Sequence, residues 1–192
     1  MPDLQPITWI LTDGTAGMRI QCLGLAKAAG LTPIVKHIHP SLLLRALPSL
    51  GLLPGMAASA GGDPIEAPWP DVVISCGRRT AGAALAVRRL SGGRAFLAHI
   101  QDPRIDPRRF DLLVVPQHDP TRGANVVTTL GALNPHDPAV LAAAARQWEP
   151  EVCDLPHPRV AVLVGGSNKR YDFSAAAVAR FVDGLRTLSD AG

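Results

Sequence analysis

The feature of this sequence that most restricts its fold is a set of short apolar runs without polar interruption. Examples are VVI at 72–74, LLVV at 112–115 and VAVLV at 160–164. A strand with one face in water alternates apolar and polar residues, whereas a strand buried on both faces does not. These runs therefore predict a parallel sheet that is covered by helices on both sides.

Strand patterns alternate with helical patterns along the chain, which is typical of a doubly wound α/β fold. The predicted strands are Ile7–Thr12, Pro33–Ile38, Asp71–Ser75, Ala95–Ile100, Leu112–Pro116, Asn125–Thr129 and Arg159–Val164. The predicted helices are Ala16–Ala29, a short helix from Ser41 to near Pro48, Thr80–Leu90, Ala139–Trp148 and Ser174–Leu188. Gly51–Pro70 has eight Gly or Pro in twenty residues and is predicted as a loop.

The end of the chain repeats the order of its beginning: a strand, a glycine turn and a helix. Residues 149–158 contain three prolines and indicate a linker. One strand and one helix cannot bury their own apolar faces, so we expect the last segment to start a second domain. The predicted organisation is an N-terminal domain at 1–150, a linker at 151–158 and the truncated start of a C-terminal domain at 159–192.

Composition and charge exclude several classes of protein. Hydrophobic residues make up 47% of the chain and charged residues 18%, which excludes a disordered chain. The net charge of +3 is too small to indicate a nucleic-acid partner, although residues 71–110 hold eight Arg against three Asp. Cys22, Cys76 and Cys153 lie far apart, which predicts neither a disulfide framework nor a metal site. With no signal peptide and no spanning segment evident, we expect a cytoplasmic protein.

Two glycine-rich turns follow predicted strands and precede predicted helices. Glycine lets the backbone approach a ligand, and a helix N-terminus attracts anions. The first turn, Asp13–Gly17, is either a ligand contact or a plain tight turn. The second, Gly165–Arg170, adds a hydroxyl, an amide and two cations, and is either a phosphate site or a solvated turn.

Two further polar groups follow the third and fourth strands, at the sheet edge where open α/β sheets bind ligands. After the third strand, Arg78 and Arg79 either pair with a substrate anion or face solvent, and Cys76 is expected to be a small buried residue. At the fourth strand, His99 is either a general base or a structural histidine. Gln101 shares its strand face, and Asp102 lies at the strand's end. No cofactor is predicted.

Four blocks of sequence, in this order and spacing, resemble one known family. They are ISCGRRTAGAALAVRRLS, HIQDPRIDPRRFDLLVVPQHD, NVVTTLGALNPHDPAVLAAAARQW and VAVLVGGSNKRY. The chain resembles the elongated-mitochondria (Elm) family of mitochondrial-fission proteins, known from plants and bacteria, along essentially its whole length. The resemblance implies a GT-B-like architecture of two facing Rossmann-type domains. This chain would hold the first domain and the first strand and helix of the second, nucleotide-binding one.

The layout is also similar to that of GT-B glycosyltransferases, which implies a metal-independent enzyme that binds a nucleotide-diphosphate sugar. This truncated chain would then be inactive. The resemblance places the donor diphosphate at Gly165, Gly166, Ser167 and Asn168. It places the N-terminal side of the cleft at Gly14, Gly17, Arg78, Gln101 and Asp102. It leaves three candidates for a general base: Asp13, His99 and Asp102.

Two alternatives remain open. Plant members of the family are associated with recruiting a dynamin-related protein, which implies a non-enzymatic scaffold at a membrane surface. The arginine-rich segment and the leucine-rich Ser41–Met56 stretch would serve peripheral membrane binding, although ordinary packing of a short helix explains the latter too. A nucleoside-diphosphate-sugar epimerase is the lesser alternative, since GxGxxG is absent. Three Lys against sixteen Arg fits a bacterial source.

Overall fold

The computed structural model describes residues 5–39, 62–165 and 172–190 of the chain. The helix predicted from Ser41 to Pro48, and much of the loop predicted at Gly51–Pro70, lie outside these residues. The strands are β1 (Thr8–Thr12), β2 (Pro33–His37), β3 (Val72–Cys76), β4 (Phe96–Ile100), β5 (Leu112–Pro116) and β6 (Val126–Thr129). The α-helices are α1 (Ala16–Ala28), α2 (Arg78–Leu90), α3 (Pro138–Val152) and α4 (Ala175–Asp190).

The six strands form one parallel sheet in the order β2–β1–β3–β4–β5–β6. In the register, Ile10 of β1 pairs with Val35 of β2 on one side and with Ile74 of β3 on the other. The predicted α/β fold with a doubly wound parallel sheet is therefore confirmed. The strand order reverses direction at β1, so the chain runs outward to β2 and then returns to β3.

Alternate residues of the strands pack into two cores, one on each face of the sheet. Leu11, Val73 and Leu97 belong to the core that α2 covers. Ile10 and Ile74 belong to the core that α1 covers. Because both faces are covered at the centre of the sheet, β3 and β5 are largely apolar, which is the pattern seen in the sequence.

Helix α1 also meets the loop that follows β6. A Cβ atom added at Gly24 would lie 2.6 Å from the backbone carbonyl carbon of Asn134. The Lys27 ammonium donates to the Pro135 carbonyl oxygen at 2.9 Å and pairs with Asp137 at 2.7 Å. The loop therefore lies directly on the backbone of α1, and a glycine makes this approach feasible.

The chain divides into two compact units, residues 1–143 and residues 144–192. We call them the sheet unit and the C-terminal unit. The strand predicted at Arg159–Val164 is wrong: residues 159–165 have no regular secondary structure, and Leu163 is 97% exposed. A strand is stabilised by hydrogen bonds to a neighbouring strand. The described part of the C-terminal unit contains no strand that could be this neighbour.

Two further features concern the helices. Helix α3 continues to Val152 and so enters the predicted linker, with Pro150 inside the helix. Proline lacks a backbone N–H and is usually avoided there, which is why the sequence favoured an earlier end. Within the described ranges, none of the helices has the length and apolar character needed to cross a membrane.

Candidate functional site

A pocket of about 340 Å³ opens at the carboxyl ends of β1, β3 and β4. It lies beside the point where the strand order reverses, which is where open α/β sheets bind their ligands. The lining residues are Asp13, Thr15, Met18, Cys76, Gly77, Arg78, Arg79 and Gln101. We call it the switch-point pocket.

The turn after β1 forms one wall. Gly14 has φ +85°, a backbone conformation that glycine adopts without strain, and its N–H donates to the Thr12 hydroxyl at 3.2 Å. The Thr15 N–H donates to a carboxylate oxygen of Asp13 at 3.1 Å. Gly14 and Gly17 are both exposed and lie outside the lining set. The turn therefore presents Asp13 and Thr15 to the pocket, next to the N-terminus of α1.

The turn after β3 forms the opposite wall. Gly77 has φ +78° and precedes α2, which has neither a side-chain cap nor an acidic residue in its first turn. The first N–H groups of a helix have no partner within it, so this end carries partial positive charge. A Cβ atom at Gly77 would lie 3.4 Å from Met18 and 3.7 Å from the Gln101 amide oxygen. A larger residue would narrow the pocket.

The two arginines at the start of α2, Arg78 and Arg79, differ in their partners. Arg79 pairs with Asp13, with 3.0 Å between guanidinium nitrogen and carboxylate oxygen. Arg78 is exposed, lines the pocket, and makes no ion pair or hydrogen bond among the residues the structure describes. Arg78 therefore places an uncompensated positive charge beside the N-terminus of α2.

Asp13 is the acidic group of the pocket, and its side chain is 10% exposed. Burial raises the pKa of this carboxyl, but hydrogen bonds from Thr15 and Arg79 and the charge of Arg79 outweigh burial, so the pKa falls below its ordinary value. Asp13 is therefore ionised at neutral pH. Its charge is largely matched by Arg79, so the pocket as a whole keeps the positive charge of Arg78.

Gln101 and Asp102 follow β4, but only Gln101 lines the pocket. Gln101 has φ +69°, and its backbone N–H donates to the Val114 carbonyl oxygen at 2.7 Å. Asp102 accepts from the Arg104 N–H at 2.8 Å and pairs with its guanidinium at 3.3 Å. Asp102 therefore holds the turn after β4, and its carboxylate lies outside the lining set.

His99 is fully buried and does not reach the pocket. Its Nδ1 lies 2.7 Å from the Ser75 hydroxyl, and its ring stacks on Phe110 with centroids 4.8 Å apart. Burial lowers the pKa of His99 to about 3, although the charge of Asp102 opposes the shift. The ring is therefore neutral at physiological pH, and its Nε2 has no hydrogen-bond partner among the residues that the structure describes.

Cys76 is buried at the floor of the pocket, where its thiol donates to the Met18 sulfur at 3.3 Å. A hydrogen bond with Cys22, followed by burial, raises the pKa of the Cys76 thiol. Cys76 therefore stays protonated in this structure and lacks the thiolate character of a nucleophile.

The second glycine-rich turn is only partly described. Gly165 is exposed and irregular, whereas Gly166, Ser167 and Asn168 lie outside the described residues. Among the described residues, no three His, Cys, Asp or Glu side chains are grouped together.

The structure brings together Asp13, Arg78 and Gln101, three of the side chains selected from the sequence, and leaves His99 apart. It also adds Thr15 and Met18, which sequence reasoning did not select as site residues. The sequence did contain a signal for these two residues, because residues at the start of a helix that follows a parallel strand lie at the carboxyl edge of the sheet.

Comparison with known proteins supplies the family. The family model described as mitochondrial fission ELM1 matches residues 16–192. A curated relative, mitochondrial fission protein ELM1 of Arabidopsis thaliana, is 32% identical over 144 residues, which are 62% of this chain and 34% of the relative. The match thus spans about a third of that relative's length, and no solved structure matches the chain. On the strength of the family match over most of its residues, the chain belongs to the mitochondrial fission ELM1 family.

Proposed function

We propose that this protein is glycosyltransferase-like and that its switch-point pocket binds the anionic part of a nucleotide-diphosphate sugar or of the molecule that accepts the sugar. The observation that carries the proposal is Arg78, a cation that has no ion pair with any described residue and lies beside the N-terminus of α2, which lacks a side-chain cap. Backbone N–H groups and a guanidinium converging on one pocket are the groups that hold phosphate oxygens. The sequence resemblance to GT-B glycosyltransferases supports the choice of ligand.

The remaining polar groups suit a sugar. The Gln101 amide can both donate to and accept from hydroxyl groups. Sugar transfer forms a bond from an acceptor oxygen to the anomeric carbon, while the bond to the diphosphate breaks and the diphosphate keeps the electron pair. The acceptor proton needs a base, and the proposal assigns it to Asp13 or Asp102. His99 is not retained in this role, because its buried ring cannot contact a bound molecule.

The second glycine-rich turn has a separate place in the proposal. Gly165, Gly166, Ser167 and Asn168 would bind the donor diphosphate, as the GT-B resemblance implies. Within the switch-point pocket, Arg78 and the N-terminus of α2 would stabilise negative charge on a bound group, as preorganised cations and helix N-termini do in transfer reactions.

The test is a calorimetric titration of uridine diphosphate into the chain. Arg78→Ala should weaken binding about tenfold or more, since a charge-assisted contact to phosphate contributes about 1.5–3 kcal/mol. Arg89→Ala is the matched control, because Arg89 is an exposed arginine in the last turn of the same helix. Absence of binding at millimolar uridine diphosphate, or equal affinity for the two variants, would contradict the proposal.

A second candidate function, a scaffold at a membrane surface, has its own supporting observation. Large apolar side chains of the C-terminal unit are exposed, among them Trp148 at 59% and Leu188 at 60%. Exposed apolar surface is typical of interaction sites. The relative's name also associates it with mitochondrial fission. Co-sedimentation with phosphatidylserine vesicles, but not with phosphatidylcholine vesicles, would support this function, and recovery in the supernatant would count against it.

A further inference from the structure

Three sulfur atoms meet below the switch-point pocket. The Cys76 thiol at the end of β3 lies 3.3 Å from the Met18 sulfur, and Cys22 packs with both in the core under α1, where it contributes to the raised pKa of Cys76. Met18 and Cys22 are four residues apart on α1, so they lie on the same side of the helix, toward β3. Both cysteines belong to the core under α1, with exposed fractions of 1% for Cys22 and 3% for Cys76.

We propose that Met18, Cys22 and Cys76 form a binding site for a soft monovalent cation, with Cu(I) as the ion that fits the ligands. Two thiolates and a thioether are soft donors, which favour Cu(I) over hard cations such as Mg²⁺ or Ca²⁺. The site uses other side chains than the nucleotide-sugar proposal and shares with it only the switch-point pocket and the N-terminus of α2.

The chemistry of loading balances without a redox partner. The ion enters as Cu(I) and leaves as Cu(I). The two thiols each lose a proton to solvent, and metal–sulfur bonds replace the S–H bonds. The loaded site carries one net negative charge. The N-terminus of α2, which begins two residues after Cys76, lies where its positive end offsets that charge.

Access and space are compatible with a bound ion. Cys76 and Met18 both line the pocket, so a cation can reach them without unfolding the chain. Metal–thiolate bonds of about 2.3 Å place the sulfur atoms of a three-coordinate site about 4 Å apart. The Cys76 and Met18 sulfur atoms, 3.3 Å apart, must therefore move slightly apart when the ion binds. The Met18 side chain can make this movement because it is unbranched and flexible.

The test uses the chain with Cys153→Ser, which removes the exposed third thiol. Cu(I) is titrated anaerobically in competition with a chromogenic copper(I) chelator. We expect the protein to withdraw one equivalent of Cu(I) and to develop a thiolate-to-copper absorption band in the ultraviolet. Cys22→Ser in this background should weaken binding more than about 100-fold, beyond the 10–100-fold effect of residues that only support a ligand.

Met18→Leu is the variant that protects the test against misfolding, because it keeps the side-chain volume and removes only the sulfur. It should weaken Cu(I) binding about tenfold or more, as expected for loss of one of three ligands. If Cys22→Ser loses the native circular dichroism, Met18→Leu decides. Failure of the Cys153→Ser chain to withdraw Cu(I), or equal affinity for that chain and its Met18→Leu variant, would overturn the proposal.

Discussion

Two apolar runs of nearly the same composition have different structures in this chain. The run VVI in β3 is part of the sheet, and Ile74 is 1% exposed. The run VAVLV at 160–164 is irregular, and Leu163 is 97% exposed. The difference is in the neighbours: β3 is hydrogen-bonded to β1 and β4, whereas the described part of the C-terminal unit offers no second strand.

The helices of the two units do not differ in this way. Helix α2 in the sheet unit and α4 in the C-terminal unit have similar lengths, and both form. Yet Ala84 in α2 is fully buried, while Phe181 and Val182 of α4 are 36% and 37% exposed. A helix satisfies its backbone hydrogen bonds internally, so it needs a partner only for its apolar face. A strand without a neighbour has neither backbone hydrogen bonds nor a partner for its apolar side chains. This is why helices form in both units and strands only in the sheet unit.

The largest test of this comparison is the same leucine truncation in each unit. Leu97 of β4 is fully buried, and Leu97→Ala should lower the free energy of unfolding by about 2–5 kcal/mol, because it leaves a cavity in the core. Leu163→Ala should change it by less than about 0.5 kcal/mol. Urea denaturation of both variants measures the difference. Equal losses would mean that Leu163 is packed in solution.

A second test uses pH. The lowered pKa of His99, about 3, lies below the ordinary value of 6.5, so the folded state resists protonation that the unfolded chain accepts. Stability should therefore be complete above pH 6.5 and fall as pH drops toward 3, by up to about 1.4 kcal/mol per pH unit from this group. His99→Gln should flatten that slope, whereas exposed His157→Gln in the C-terminal unit should leave it unchanged. The readout is the urea midpoint from pH 4 to pH 7. A slope unaltered in His99→Gln would show that other groups cause it.

The sequence predicted the sheet well for a physical reason. Runs such as LLVV in β5 carry the two-faced burial pattern themselves. The false strand at 159–164 shows the limit of this signal, because the same pattern says nothing about which strand lies alongside. The continuation of α3 past Pro150 shows a second limit. The low helix propensity of proline predicts an end before this residue, but propensity is a weak guide that the surrounding structure can override.

A third test substitutes glycine in a helix of each unit. Gly24→Ala in α1 should destabilise the fold by about 1–3 kcal/mol, because the new Cβ would lie 2.6 Å from the Asn134 backbone. Gly184→Ala in α4 meets nothing within 4 Å and should stabilise its helix by about 0.5–1 kcal/mol. Thermal melts followed at 222 nm measure both. If Gly24→Ala is neutral or stabilising, the loop at Asn134 moves aside; if Gly184→Ala is destabilising, its site in α4 is not open in solution.

Prediction of the candidate site was less complete than prediction of the fold. Arg78 and Gln101 could be selected because they follow strands, and the topology then brings the ends of β1, β3 and β4 together. Which way a side chain points at a strand end is not encoded in spacing alone. His99 precedes Gln101 by two residues, but the strand ends at Ile100 and Gln101 takes φ +69°, so the two residues do not share a face of β4.

The smallest expected effect compares ion pairs of the two units. Arg79→Ala removes the partner of Asp13, whose side chain is 10% exposed, and should cost about 0.2–1 kcal/mol at neutral pH. Because the pKa of Asp13 is lowered in the folded state, this contribution is present above the ordinary value of 3.8 and disappears as pH falls below it. Arg186→Ala removes a pair whose side chains are 75% and 74% exposed, and should leave the urea midpoint unchanged. The half-buried pair should also keep more of its effect at 1 M salt, since burial reduces screening. The contradicting outcome is that both variants lose the same free energy of unfolding and that 1 M salt reduces the two losses equally. The Asp13–Arg79 pair would then be as solvated as the Asp183–Arg186 pair, and the turn after β1 would not keep this structure in solution.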